Sequence, residues 1–200
     1  MKKLSLLLLL LFVQVVSYGQ SFDFVPGVGI RSAQDHSKGY IVFDFPGMTA
    51  DDIRAAVVAK IPTIYDYSTG RIQYGENNSI SLIASTGKKE LFIDNHYSRY
   101  PAAAGSHRGG VGGDFIMNIY FKDGRVRYDA PTFQRLYIIT EIVSGHFNRT
   151  NCPNYGDDLT PFYELIKNKE QQNSTVQYFN NLVRALNKAI EEAASKPSDW

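Results

Sequence analysis

Five side chains have the chemistry to hold a transition metal ion, four histidines and the single cysteine: His36, His96, His107, His146 and Cys152. Zinc sites usually draw ligands from His or Cys pairs that are about two to five residues apart. No two of these five residues are that close in the sequence. We therefore predict no metal site and no cofactor, and we interpret the histidines as solvated loop residues. A lone cysteine also cannot form an intrachain disulfide.

A hydroxyl, a base and a carboxylate fall in or beside a glycine-rich segment that runs from Asn95 to Gly113. They are Ser106, His107 and Asp114, the residue types of an acyl-transfer triad. The segment has no Gly-x-Ser-x-Gly pattern and no recognisable Cys–His signature. It also lacks the Gly-Lys-Ser/Thr ending of a nucleotide-binding loop. We assign no catalytic residue, and a hydrolase with its site at this segment is the alternative hypothesis.

Aromatic and basic residues in and near the same segment suggest binding rather than catalysis. Tyrosine and arginine are enriched at recognition surfaces, whereas tyrosine is also simply a good strand former with a polar end. Tyr40, Tyr74 and Tyr128 fall in predicted strands and could line the same face or rim. The candidate binding residues are Tyr97, Tyr100, His107, Arg108 and Tyr120.

The segment 114–129 would position these candidates, and its pattern predicts an antiparallel hairpin. Apolar residues alternate with more polar ones, which is the pattern of a half-buried strand. The buried face would consist of Phe115, Met117, Ile119, Phe121, Val126 and Tyr128. Asp123-Gly124 is a two-residue turn signal, and we expect both residues to have positive φ.

Similar patterns predict the other elements of the fold. Strands are predicted at 40–45, 71–74, 79–85, 90–94 and 132–143, separated by turn signals, which favours an antiparallel meander. Thr49 is expected to cap a helix that buries Ile53, Val57 and Ile61 and ends at Pro62.

The C-terminal part of the sequence predicts a second, amphipathic helix. Ser174 and Gln177 fit a capping box at its start. Apolar residues then recur every three or four positions, at Val176, Phe179, Val183, Leu186, Ile190 and Ala193. Burying the larger of these side chains is worth on the order of 10 kcal/mol before chain entropy is subtracted. We therefore expect this helix to dock on the sheet.

The hairpin also carries a more specific pattern, Lys122-Asp123-Gly124 followed by Arg127-Tyr128. It resembles an exported bacterial domain of unknown function with a TATA-binding-protein-like (TBP-like) fold, in which a strand with an apolar-Lys-Asp-Gly turn leads into an Arg-Tyr strand. The Asp199-Trp200 ending fits this group as well. The resemblance covers roughly residues 39–139 and implies an α+β fold, with an antiparallel sheet and helices packed on one face. It implies no reaction and no DNA binding, because one fold hosts unrelated functions.

The first residues have the pattern of an export signal. Lys2 and Lys3 precede an apolar run at 4–16, and small residues follow at Ser17 and Gly19. The run is shorter than the ~20 residues of a membrane span. We predict a signal peptide at 1–19, a leader at 20–38, the TBP-like α+β domain at 39–143, a linker at 144–159 and a C-terminal helical segment at 160–200.

The charge balance limits the class of partner. Removing the two lysines of the signal would leave 19 basic residues against 20 acidic ones, since the whole chain has 21 and 20. A near-neutral chain lacks the basic footprint that nucleic acid or an anionic membrane requires. We predict an exported, non-enzymatic binding module, periplasmic or secreted, for an envelope or extracellular ligand or protein.

Overall fold

The computed structural model describes residues 20–87, 91–93, 109–142, 146–151, 166 and 168–195. The predicted signal peptide lies outside these residues. The described elements, in chain order, are β1 (Phe22–Val25), β2 (Gly29–Ser32), β3 (Tyr40–Asp44), α1 (Ala50–Ile64), β4 (Gly70–Gly75), β5 (Ser79–Ser85), β6 (Phe92–Ile93), β7 (Gly109–Lys122), β8 (Arg125–Asp129), β9 (Thr132–Ile142), β10 (His146–Asn151) and α2 (Lys169–Ala194).

The long strand β7 is the centre of an antiparallel sheet. One edge of β7 pairs with β5 and, nearer its N-terminus, with β6, while its other edge pairs with β9 and then with β8. The sheet continues outward from β5 to β4, from β8 to β3 and from β9 to β10. Every pair is antiparallel, so the predicted α+β class with an antiparallel sheet is confirmed.

Both helices cover one face of this sheet. All six residues predicted for the buried face of the hairpin are at most 2% exposed and belong to one apolar core with α1 and α2. The centre of that core is aromatic, with the rings of Phe115 and Phe179 5.0 Å apart and perpendicular. Among the described residues, the opposite face of the sheet carries no helix.

The first helix begins where the sequence predicts and ends slightly later. Thr49 is the N-cap and forms a capping box with Asp52. Ile53, Val57 and Ile61 are buried, as predicted. Pro62 does not end the helix, which continues to Ile64. A proline in the last turn removes only its own N–H bond, and the Tyr65 N–H still donates to the Ile61 carbonyl at 3.0 Å.

The second helix begins earlier than predicted. Its capping box is formed by Asn168 and Gln171, and Ser174 lies inside the helix instead of capping it. The Asn168 side chain accepts from the Gln171 N–H at 2.9 Å, and this cap satisfies an N-terminal donor and stabilises the earlier start. Five of the six residues of the predicted apolar stripe are buried in the core, namely Val176, Phe179, Val183, Leu186 and Ile190, whereas Ala193 is only partly buried.

The predicted leader is part of the folded structure. β1 and β2 form a hairpin that buries Phe22, Phe24 and Ile30. The carboxamide of Asn180, on α2, accepts from the Phe22 N–H at 2.8 Å and donates to the Phe22 carbonyl at 3.1 Å. Because one side chain holds both backbone groups of Phe22, the hairpin is fixed against the helix.

Two other segments differ from the prediction. Residues 109–113, assigned to the glycine-rich loop, form the start of β7, and residues 146–151, assigned to the linker, form β10 on the outer edge of β9. Glycine in this part of β7 has a packing reason. A Cβ on Gly113 would lie 2.9 Å from Cδ1 of Phe133 and 3.0 Å from Cδ2 of Leu136. Gly113 therefore allows close approach in a strand and does not indicate a loop.

The tip of the β7–β8 hairpin is also built differently. Gly124 has a φ of +68°, but Asp123 is not among the described residues with positive φ, so the expected turn with both residues at positive φ is wrong. Oδ1 of Asp123 instead accepts from the Ala50 N–H at 2.9 Å. A carboxylate is favourable at a helix N-terminus, so Asp123 joins the hairpin tip to the first turn of α1.

Candidate functional site

The central strand changes partner in the middle, and this change opens the sheet. Ile116 faces Thr132 of β9, whereas Ile119 faces Tyr128 of β8. The two residues between them, Met117 and Asn118, lie opposite the connection from β8 to β9. That connection contains Pro131, which has no N–H and cannot extend a ladder of hydrogen bonds. A gap therefore forms in the sheet beside Asn118.

A cavity of about 520 Å³ occupies this gap. We call it the Arg127 cleft and define it by Val28, Arg31, Tyr40, Asn118, Arg127 and Asp129, which line it. The β1–β2 hairpin supplies one wall, and β3, β7 and β8 supply the other. The volume is within the range of small-molecule sites, roughly 300–1,000 Å³.

The guanidinium of Arg127 is the most constrained charged group in the cleft. Its carbon lies 4.3 Å from the centre of the Tyr40 ring and 4.8 Å from that of Tyr120. The strand order β7–β8–β3 places these two rings on either side of it. Its Nε donates to Oδ1 of Asp129 at 2.7 Å, and this hydrogen-bonded carboxylate raises the pKa of Arg127 further above its ordinary value. Arg127 is therefore always charged and held in one orientation.

Two more donors face the same space. Oδ1 of Asn118 accepts from the Ser81 hydroxyl at 2.8 Å, and among the described residues the amide N–H groups of Asn118 have no partner. Arg31 uses one of its nitrogens, Nη1, to donate to the Ile30 carbonyl at 2.8 Å. The cleft thus presents hydrogen-bond donors from β2, β7 and β8.

The described lining supports binding better than catalysis. It contains no histidine, cysteine or lysine. Its one carboxylate, on Asp129, is engaged by Arg127. A nucleophile next to a base is the minimum for covalent hydrolysis, and the described lining provides no such pair.

The structure describes one of the five predicted binding residues. Tyr120 lies on the open face of the sheet and stacks on Arg127. Tyr97, Tyr100, His107 and Arg108 lie outside the described residues.

The other predicted tyrosines do not share one face. Tyr40 is on the open face with Tyr120, but Tyr128 is fully buried on the helix face. Tyr74 is paired with Ile80, a core residue, so it belongs to the helix face and is 66% exposed at the edge strand. Of the four predicted tyrosines that the structure describes, Tyr40 and Tyr120 are therefore the two that can contribute to the same site.

The structure bears on the hydrolase hypothesis through one residue. Oδ2 of Asp114 accepts from Nε and Nη2 of Arg135 at 3.0 and 2.6 Å. This carboxylate is therefore paired with Arg135 through one of its two oxygens. Ser106 and His107 lie outside the described residues, and the hydrolase hypothesis stays a prediction.

The described residues contain no group of three or more His, Cys, Asp or Glu side chains that could hold a metal ion. His36 lies 3.5 Å from a carboxylate oxygen of Asp23, on the hairpin. His96, His107 and Cys152 are outside the described residues. Within the described part of the chain, neither helix is long and apolar enough to cross a membrane.

A second cavity, of about 380 Å³, lies between β3 and α2. Phe43, Phe45 and Val183 contribute apolar atoms to it, and these side chains also belong to the core. Asn187 lines it too, but its Oδ1 is already engaged by the buried Tyr128 hydroxyl. Gln20, Ser21, Arg184, Lys188 and Glu191 supply further polar groups to this cavity.

Sequence analysis missed most of the cleft. Arg31, Asn118, Arg127 and Asp129 were not among the candidates. For Arg127 a signal existed, because it alternates with the buried Val126 and Tyr128 and so had to share a face with other polar residues. For Arg31 none existed, since its place in the cleft depends on the packing of the β1–β2 hairpin.

Comparison with known proteins adds structural relatives. No family model and no curated protein matches this chain. A TBP-like protein from Parabacteroides distasonis is similar with a TM-score of 0.43 and 13% identity over 76% of this chain and 90% of that chain. A DUF4468 family protein from Bacteroides ovatus has a TM-score of 0.38 and 11% identity over 80% of this chain and 87% of that chain. Both are bacterial proteins of the kind that the hairpin sequence resembles. The similarity indicates no ligand and no activity for this chain.

Proposed function

We propose that this protein is an exported, non-enzymatic binding module of the cell envelope, and that it holds a small ligand in the Arg127 cleft. The observation that carries the proposal is the Arg127 guanidinium fixed between Tyr40 and Tyr120 at the wall of a ligand-sized cavity. An arginine held in place loses little side-chain entropy when it binds, which increases affinity.

The site also has the usual division of roles in a small-molecule pocket. Val28, Pro131 and Phe133 supply apolar surface, while Asn118 and Arg127 supply polar groups that can orient a ligand. The basic N-terminal pattern and apolar run support export of the mature chain.

Saturation-transfer NMR of the purified protein with a pooled library of small polar compounds tests the proposal. We expect hits whose binding weakens in Tyr120→Ala, because this change removes one ring from Arg127. The freed arginine must be ordered again when the ligand binds, and this cost of about 0.5–1.5 kcal/mol corresponds to weakening by about two- to twelvefold. Tyr74→Ala is the matched control, since Tyr74 is exposed and distant from the cleft in the sheet order.

Two results, one from the screen and one from an enzyme assay, would contradict the proposal. One is the absence of any ligand sensitive to Tyr120→Ala. The other is turnover: hydrolysis of ester, phosphate ester or peptide substrates that His107→Ala abolishes and His36→Ala preserves. That result would favour the hydrolase at the glycine-rich segment.

A further inference from the structure

We infer that the ligand of the Arg127 cleft carries a terminal oxyanion, a carboxylate or a phosphate ester, and that the free edge of the Arg127 guanidinium binds it. This inference rests on the proposed function, because it specifies the chemistry of the ligand in the same cleft. The free donors of Arg127, the charge of the cleft lining and the size of the cavity support it.

The described residues leave part of the Arg127 guanidinium without hydrogen-bond partners. Nε is used by Asp129, whereas Nη1 and Nη2 have no hydrogen-bond partner among the described residues. The rings of Tyr40 and Tyr120 occupy the flanks of the group, so its edge is what remains for a ligand. Two adjacent Nη donors form a planar fork that matches two oxygens of a carboxylate or phosphate.

The side chains that line the cleft have a net positive charge. The charged side chains that line the cleft are Arg31, Arg127 and Asp129, which give a net charge of +1. Asp129 is half-buried and paired with Nε, so it fixes the orientation of the guanidinium and leaves the positive edge available. A neutral ligand would leave this edge without a charged partner, and charge-assisted hydrogen bonds are the stronger ones.

The size of the cavity indicates an organic ligand and not a bare ion. A cavity of about 520 Å³ is larger than a bare ion requires. The apolar surface of Val28, Pro131 and Phe133 would contact an apolar or ring-shaped body, and the Asn118 amide could donate to a neutral acceptor on it. The ligand class is therefore a small organic molecule with an oxyanion at one end.

Titration of the protein with benzoate, phenyl phosphate and neutral benzamide, followed by two-dimensional ¹⁵N NMR, tests the inference. The reporters are the backbone amides of Gly29, Arg31 and Gly39, which belong to cleft residues. We expect the anions to shift these amides and to bind at least about fivefold more tightly than benzamide, since only they offer the guanidinium edge a negative charge and two acceptor oxygens. The tighter of the two anions identifies the carboxylate or the phosphate ester as the natural group.

Three arginine variants separate fork recognition from general attraction. Arg127→Gln should abolish the anion-dependent shifts, and Arg127→Lys should weaken binding roughly tenfold because lysine keeps the charge but loses the fork. Arg125→Gln is the matched control. Arg125 lies two residues away on the same face of β8, and its Nε pairs with Asp44 at 2.7 Å, but it does not line the cleft. Thermal unfolding by circular dichroism checks that each variant is folded.

Failure of the oxyanion inference and failure of the proposed function would give different results. If benzamide or neutral library compounds bind in the cleft as tightly as the anions, the oxyanion inference is overturned and the binding module stands. Equal weakening by Arg125→Gln and Arg127→Gln overturns it as well, because the attraction would then be non-specific. If no compound of any charge binds in the cleft, both the inference and the proposed function fail.

Discussion

One buried hydrogen bond joins the sheet to the C-terminal helix, and its removal is a sharp test of how the fold is held. The hydroxyl of Tyr128 donates to Oδ1 of Asn187 at 2.8 Å. Tyr128 is 0% exposed and Asn187 is 8% exposed, so water cannot readily replace either partner. Tyr128→Phe deletes the donor and leaves the ring in place.

The expected loss follows from that burial. A buried acceptor left without its partner costs about 1–3 kcal/mol, and for a domain of this size each kcal/mol lowers Tm by about 2–4 °C. We therefore expect Tyr128→Phe to lower Tm by about 2–12 °C. Tyr74→Phe makes the same chemical change at an exposed position and should alter stability by less than about 0.5 kcal/mol.

Urea unfolding followed by far-UV circular dichroism measures these values, and a double-mutant cycle with Asn187→Ala isolates the pair. The two changes together should cost less than the sum of the single changes by on the order of 1 kcal/mol, because the double variant leaves no buried partner unpaired. If Tyr128→Phe is as mild as Tyr74→Phe, or if the two changes are additive, α2 is not held to the sheet by this bond and our description of the core is wrong.

Three further predictions concern the central strand, the tyrosines and the leader. Gly113→Ala should lower the free energy of unfolding by about 1–3 kcal/mol in urea melts, because the new Cβ would lie 2.9 Å from Phe133; an unchanged midpoint would show that β7 and β9 are not packed as described. Burial raises the pKa of Tyr65, Tyr128 and Tyr178, so the folded protein keeps these phenol protons above pH ~10, where the unfolded chain loses them. The contribution of these phenols to the free energy of unfolding should therefore be fully present below pH ~10 and fall above it by up to about 1.4 kcal/mol per pH unit for each phenol. Urea melts that show no decline in this free energy up to pH 11 would refute this. The intact mass of the exported protein should correspond to a chain that begins at Gln20, and a mass that includes Lys2 and Lys3 would refute cleavage.

Local patterns were sufficient to predict most of the elements. The alternation from Phe115 to Tyr128 specified both the β7–β8 hairpin and the face it buries, because a strand must place every second side chain on the same side. The stripe from Val176 to Ile190 specified α2 for the corresponding reason with helical spacing. These predictions succeeded because each depended on neighbours in the sequence.

The cleft could not be predicted in this way, because it is made by contacts between distant segments. Asn180 helps to hold the β1–β2 hairpin in place across 158 residues, and the burial of Phe22, Phe24 and Ile30 in the core also keeps the hairpin, with Arg31, beside the sheet. The glycines of β7 were misassigned to a loop, since glycine signals a turn and close packing equally well. At Gly113 the side chains of Phe133 and Leu136, which are twenty or more positions away, decide between the two.

The role of Asp123 is a similar case. The turn signal Asp123-Gly124 was recognised, but the contact between Asp123 and the N-terminus of α1 spans 73 residues. It explains why an aspartate suits this position better than the asparagine that a tight hairpin turn would equally accept. Part of the Lys-Asp-Gly pattern thus has a structural function.

The most direct test of the proposed binding function is a crystal structure of the protein with a compound found in the pooled screen. The structure predicts electron density for the compound between Arg31, Asn118 and Arg127, with the Tyr40 and Tyr120 rings still flanking the guanidinium. Density for the compound at any other surface, with the Arg127 cleft empty, would contradict that function.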